Sequence, residues 1–136
     1  SIEFLIFLNN KDKLDIIKKL VIDFKIEKKI NLDDSMLTPG EYLKFNKFVT
    51  EEKINLEDRL IINIEKLLKL KKLKKNIDYL NFSIYLINQY YFKMYKNKIN
   101  VNNYYNNKMN IIKKIFETNK LNLNHTNLIS EIENCI

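Results

Sequence analysis

Glycine and proline occur once each in this chain, at Gly40 and Pro39, and their scarcity removes whole fold classes. An all-β domain of 136 residues needs a turn residue about every ten positions, and that supply is missing. One glycine cannot build a glycine-rich phosphate loop or a nucleophile elbow either. Histidine is as scarce: His125 stands alone, with no Cys/His cluster anywhere in the chain. A zinc site or a histidine general base needs partners, so His125 reads as a loop or first-turn residue. The lone cysteine, Cys135, forbids an internal disulfide and points to a reducing compartment. It reads as a half-buried terminal thiol rather than a nucleophile. Paired carboxylates such as Asp33–Asp34 and Glu51–Glu52 are commonplace surface features. The expectation is a protein that is not an enzyme and carries no metal or cofactor.

Long apolar runs are missing as well. The opening Ile2–Leu8 is apolar but far short of the roughly 20 residues that cross a bilayer. It has neither a basic n-region nor a small-residue cleavage site, so it does not read as a signal peptide. The chain begins at Ser1 rather than Met, which leaves an upstream segment as an expectation. A cytoplasmic protein with no transmembrane segment follows.

Apolar residues make up 46% of the chain, enough for a real core, and long helices with Asn-rich connections are what remains. Leu14, Ile16, Ile17, Leu20, Val21 and Phe24 recur at helical spacing, with Asp12 or Asp15 as the cap. Thr38-Pro39-Gly40-Glu41 is the sharpest local signal. Thr38 suits the N-cap, Pro39 the first helical position, and Glu41 completes a capping box ahead of Tyr42, Phe45, Phe48 and Val49. A second strong helix is expected from about Leu56 to Leu70, with Asn55 as its cap. Phe82, Tyr85, Leu86, Tyr90 and Phe92 mark an aromatic helix to about Tyr95. Residues 97–107 are low in complexity and read as a loop, and two helices close the chain at about 108–117 and 125–135.

Three helix starts repeat one pattern. Leu37-Thr38-Pro39-Gly40-Glu41-Tyr42, Ile77-Asp78-Tyr79-Leu80-Asn81-Phe82 and Leu123-Asn124-His125-Thr126-Asn127-Leu128 each run aliphatic, cap, two residues, polar, large apolar. The first two lie 40 residues apart and the last two 46, with 97–107 accounting for most of the excess. This resembles the second half of an EF-hand, and hence the calmodulin and myosin light-chain superfamily. The resemblance implies an all-α fold of degenerate EF-hand pairs in two lobes: a reduced N-terminal lobe over 1–54 and a C-terminal lobe over 55–136. In that register Leu37, Ile77 and Leu123 belong to short paired loops, and Asp78 caps the second outgoing helix. The abbreviated N-terminal lobe is similar to the essential light chains of the apicomplexan gliding motor.

The same register denies calcium its ligands. The first three odd loop positions are Ile30, Leu32 and Asp34 in one loop, Leu70, Lys72 and Lys74 in the next, and Phe116, Thr118 and Lys120 in the last, where oxygen donors are required. What the resemblance implies is a calcium-independent protein that grips and stiffens an amphipathic helix of a myosin heavy chain, within a cytoskeletal or membrane-anchored motor complex. Its groove would be lined by Tyr42, Phe45, Phe82, Tyr85, Leu86, Leu128 and Ile132. One fact opposes this. Light chains are usually acidic, whereas this chain holds 24 Lys+Arg against 17 Asp+Glu, a net charge of +7.

The alternative is a basic helical domain that binds nucleic acid or an acidic surface. Lys66–Lys75 holds six lysines in ten residues. Lys69, Lys71, Lys72, Lys74 and Lys75 could bind phosphates, with Tyr79 and Phe82 nearby as stacking surfaces. The plain readings are a solvated helix end whose lysines offset the C-terminal dipole, and an AT-rich genome that encodes Lys, Asn and Ile by default.

Overall fold

The computed structural model describes residues 9–31, 37–97, 103–121 and 125–135. Its regular structure is all helical: α1 (Asn10–Asp23), α2 (Pro39–Glu51), α3 (Leu60–Lys74), α4 (Asp78–Lys96), α5 (Tyr104–Lys120) and α6 (His125–Cys135). Among the described residues no helix is long and apolar enough to cross a membrane. The chain divides into two compact units, Ser1–Leu56 and Glu57–Ile136. The apolar opening Ile2–Leu8, residues 32–36 of the first loop, and Leu123 with Asn124 lie outside the described residues.

In the N-terminal unit α1 packs on α2. The α1 cap is Asn9, whose side chain accepts from the Asp12 N–H at 2.8 Å, so Asp12 and Asp15 sit inside the helix they were expected to cap. The α2 start takes the expected form. Thr38 Oγ1 accepts from the Glu41 N–H at 3.3 Å, and Glu41 Oε2 accepts from the Thr38 N–H at 3.0 Å. Ile17 and Val21 of α1, and Tyr42, Phe45, Phe48 and Val49 of α2, form the apolar interior. One polar side chain joins them: Asn46 is fully buried. Its Oδ1 accepts from the backbone of Lys29 (2.7 Å) and Ile30 (2.9 Å), while its Nδ2 donates to the Tyr42 carbonyl at 2.7 Å. The Tyr42 hydroxyl donates to the Ile30 carbonyl at 2.8 Å. Burial pushes that hydroxyl's pKa up, with the Asn46 side chain pulling the other way.

Helix ends show how a chain with one glycine turns. Lys25, Lys53 and Lys75 all take a left-handed backbone, with φ of 51°, 50° and 50°, just past the ends of α1, α2 and α3. After α1, Ile26 N–H donates to the Val21 carbonyl and Lys25 N–H to the Ile22 carbonyl, the pairing of a Schellman turn. Glycine is the residue that takes this geometry without steric cost. Lys25→Gly is therefore expected to stabilise the N-terminal unit by about 0.5–1 kcal/mol, read as a higher melting temperature. A lower one would show that unfolded-chain entropy outweighs the strain.

The C-terminal unit is a closed ring of four helices: α3 packs on α4, α4 on α5, α5 on α6, and α6 back on α3. Its core holds Ile64 and Leu68 of α3, Leu80, Ile87 and Tyr91 of α4, Ile111 and Ile115 of α5, and Leu128 and Ile132 of α6. Three local expectations change. The third helix starts at Leu60 instead of Leu56, with Arg59 at its cap and no side-chain cap bond. Helix α5 starts at Tyr104, inside the stretch expected to be a loop, because Tyr104 packs against the core and meets Tyr91 edge-on at 5.9 Å. Finally, only Lys75, Asn76 and Ile77 separate α3 from α4, where an EF-hand loop would hold a longer non-helical stretch. Leu70 to Lys74 are good helix formers and carry α3 onward, and the left-handed Lys75 closes it. Asp78 does not cap α4; Asn76 Oδ1 accepts from the Asp78 N–H at 3.0 Å. No strand or bridge occurs among the described residues, and Leu123 of the expected paired loops lies outside them.

Candidate functional site

The seven residues expected to line a groove are mostly interior. Tyr42, Phe45, Phe82, Leu128 and Ile132 are buried, while Tyr85 and Leu86 are half-buried. Tyr42 and Phe45 belong to the N-terminal unit, and the other five to the C-terminal unit. Leu128 and Ile132 meet in the four-helix core, and the Phe82 and Tyr85 rings stack at 6.2 Å. In the free chain Phe82, Leu128 and Ile132 are interior side chains rather than an open surface. The cause is general. A stripe at helical spacing marks whichever face is buried, and the first claim on such a face is the chain's own core.

The lysine run stands on the last two turns of α3 and its end. Lys69, Lys72, Lys74 and Lys75 are exposed and Lys71 is half-buried. Lys69 pairs with Glu65 at 2.7 Å, and the Lys74 ammonium lies 5.9 Å from the centre of the Tyr79 ring. The expected stacking platform is absent from the surface, because Tyr79 is only 3% exposed and Phe82 is fully buried. A base needs an accessible ring face, and neither side chain presents one.

A different concavity opens where α3 meets α6. It has a volume of about 640 Å³. Glu65, Lys69, Lys72 and Leu73 form the α3 wall, and Thr126, Ile129 and Ser130 the α6 wall. Leu73 is 78% exposed, the most exposed large apolar side chain among the described residues. Ile129 is half-buried and packs on the core from the groove side. The helices run antiparallel: the start of α3 faces the end of α6 through Arg59 and Glu133 (3.9 Å), and the groove lies at the other end. An apolar floor between two antiparallel helices, rimmed by polar groups, has the form that accepts the apolar face of a third helix.

No group of three or more His, Cys, Asp or Glu able to hold a metal occurs among the described residues. Helical periodicity could not have flagged the site. Leu73 and Ile129 lie far apart in sequence, and each reads alone as one more apolar position on its helix. Comparison with protein-family models, with curated proteins and with solved structures finds no match for this chain.

Proposed function

We propose that this chain is a non-catalytic binding module that clasps an amphipathic helix in its C-terminal unit, the role a myosin light chain plays, without calcium control. The observation that carries this reading is the α3–α6 groove, with exposed Leu73 beside Ile129 between two polar rims. Of the features behind the light-chain resemblance, the capping box of Thr38 and Glu41 supports it. The three-residue connection from α3 to α4 does not, so the likeness inferred is one of role rather than of loop. Calcium independence is supported by Leu70, Lys72 and Lys74, helical residues with no carboxylate at the positions where a loop would ligate.

The test is titration of the full chain with a fluorescent amphipathic helical peptide of about five turns, enough to lie along the groove. Binding is expected, and Leu73→Ser is expected to weaken it about tenfold, roughly 1.4 kcal/mol, with the melting temperature unchanged. A peptide affinity indifferent to Leu73→Ser would remove the groove from the reading.

A further inference from the structure

The charge of this chain is not shared between its units. Residues 1–56 hold 10 Lys+Arg and 10 Asp+Glu, a balance of zero, while residues 57–136 hold 14 against 7. The whole +7 therefore belongs to the unit that carries the groove. Within that unit the one carboxylate that lines the groove is already engaged. Glu65, on the α3 wall, is held by Lys69 at 2.7 Å. On α6, Glu131 pairs with Lys114 at 3.0 Å and Glu133 with Arg59 at 3.9 Å, and neither lines the groove. The α6 wall offers only uncharged side chains: Thr126, Ile129 and Ser130. Lys72 stands exposed on the α3 rim beside Leu73 and has no ion pair among the described residues.

We infer that the helix held by this groove is acidic, an apolar stripe flanked by Asp or Glu that meet Lys72. This rests on the helix-binding reading above and adds the sign of the partner's charge. An apolar floor selects for a stripe but not for its flanks. The rim selects the flanks, because a carboxylate there gains an ammonium without meeting a free carboxylate of the groove. A basic helix, of the kind light chains hold, would bring like charge against Lys72 and six further lysines and arginines' worth of net field from the same unit. Exposed charges are screened within about 8 Å at physiological salt, so the effect is expected in salt dependence and partner choice more than in raw affinity.

The experiment uses the full chain and three fluorescent helical peptides with one apolar stripe, flanked by Glu, Gln or Lys. Affinity is expected to fall in the order Glu, Gln, Lys, with about tenfold between the extremes, and the Glu preference is expected to shrink as salt rises. Lys72→Glu should narrow or reverse the order while leaving the melting temperature in place. A Lys-flanked peptide that binds as tightly as the Glu-flanked one overturns the acidic partner and leaves helix binding standing. If none of the three binds, helix binding itself fails. A uridine oligonucleotide is the competitor: displacement of the Glu peptide at lower concentration than unlabelled Glu peptide needs would assign the lysines to nucleic acid and overturn the inference.

Discussion

Replacing Asn46 with Ala is expected to lower the stability of the N-terminal unit by about 3 kcal/mol, far more than an average point change. The loss follows from what Asn46 holds. Its Oδ1 is the acceptor for two successive backbone N–H groups, Lys29 and Ile30, and Ile30 is buried. An alanine leaves both without that partner; the buried Ile30 N–H costs about 1–3 kcal/mol and the part-buried Lys29 N–H less, with the emptied side-chain volume adding to the loss. Tyr42→Phe removes one bond of the same network, the one to the Ile30 carbonyl, and is expected to cost about 1 kcal/mol. The double variant should fall short of the sum, because both side chains tie residues 29–30 to α2. Urea unfolding of the full chain, with hydrogen exchange at Lys29 and Ile30, measures both. An Asn46→Ala variant within 1 kcal/mol of the parent would show that water replaces the side chain there.

That network was invisible in the sequence. Asn46 sits between Phe45 and Phe48 in a chain rich in asparagine, and nothing local separates it from its many exposed counterparts. Its role depends on a segment 16 or 17 residues away returning to α2. The Thr38–Glu41 box was legible for the opposite reason: both partners lie within one turn, so the pattern contains its own geometry. Helix content was legible too, because a chain with one glycine and one proline and apolar residues at helical spacing has few other options. The start of α3 was not. Leu56 and Leu60 both fit the apolar stripe, and Arg59 supplies no cap bond to choose between them. The Leu73–Ile129 groove was out of reach for the same reason as Asn46, since it exists only once α6 packs back on α3. The total charge was legible, but its concentration in one unit emerges only with the boundary at Leu56 and Glu57.

The sharpest division between core and surface is expected at Phe82. The light-chain resemblance casts this ring as a groove residue, whose truncation would cost binding. In the structure it is fully buried and stacks on Tyr85, so its truncation removes interior contacts. Phe82→Ala is expected to cost about 3–5 kcal/mol of stability, the range for a buried aromatic that leaves a cavity. Such a loss rivals the whole stability of a small domain, so the variant should melt far below the parent or be partly unfolded at 25 °C. Any fall in peptide binding should then track the unfolded fraction and be restored by Phe82→Leu, which refills most of the volume. Leu73→Ser should do the reverse, sparing the melt and losing the peptide, because its side chain is already in solvent. Measuring melting temperature and peptide affinity for these three variants separates the two faces. A Phe82→Ala protein that melts with the parent and still loses the peptide would put the ring on the binding surface.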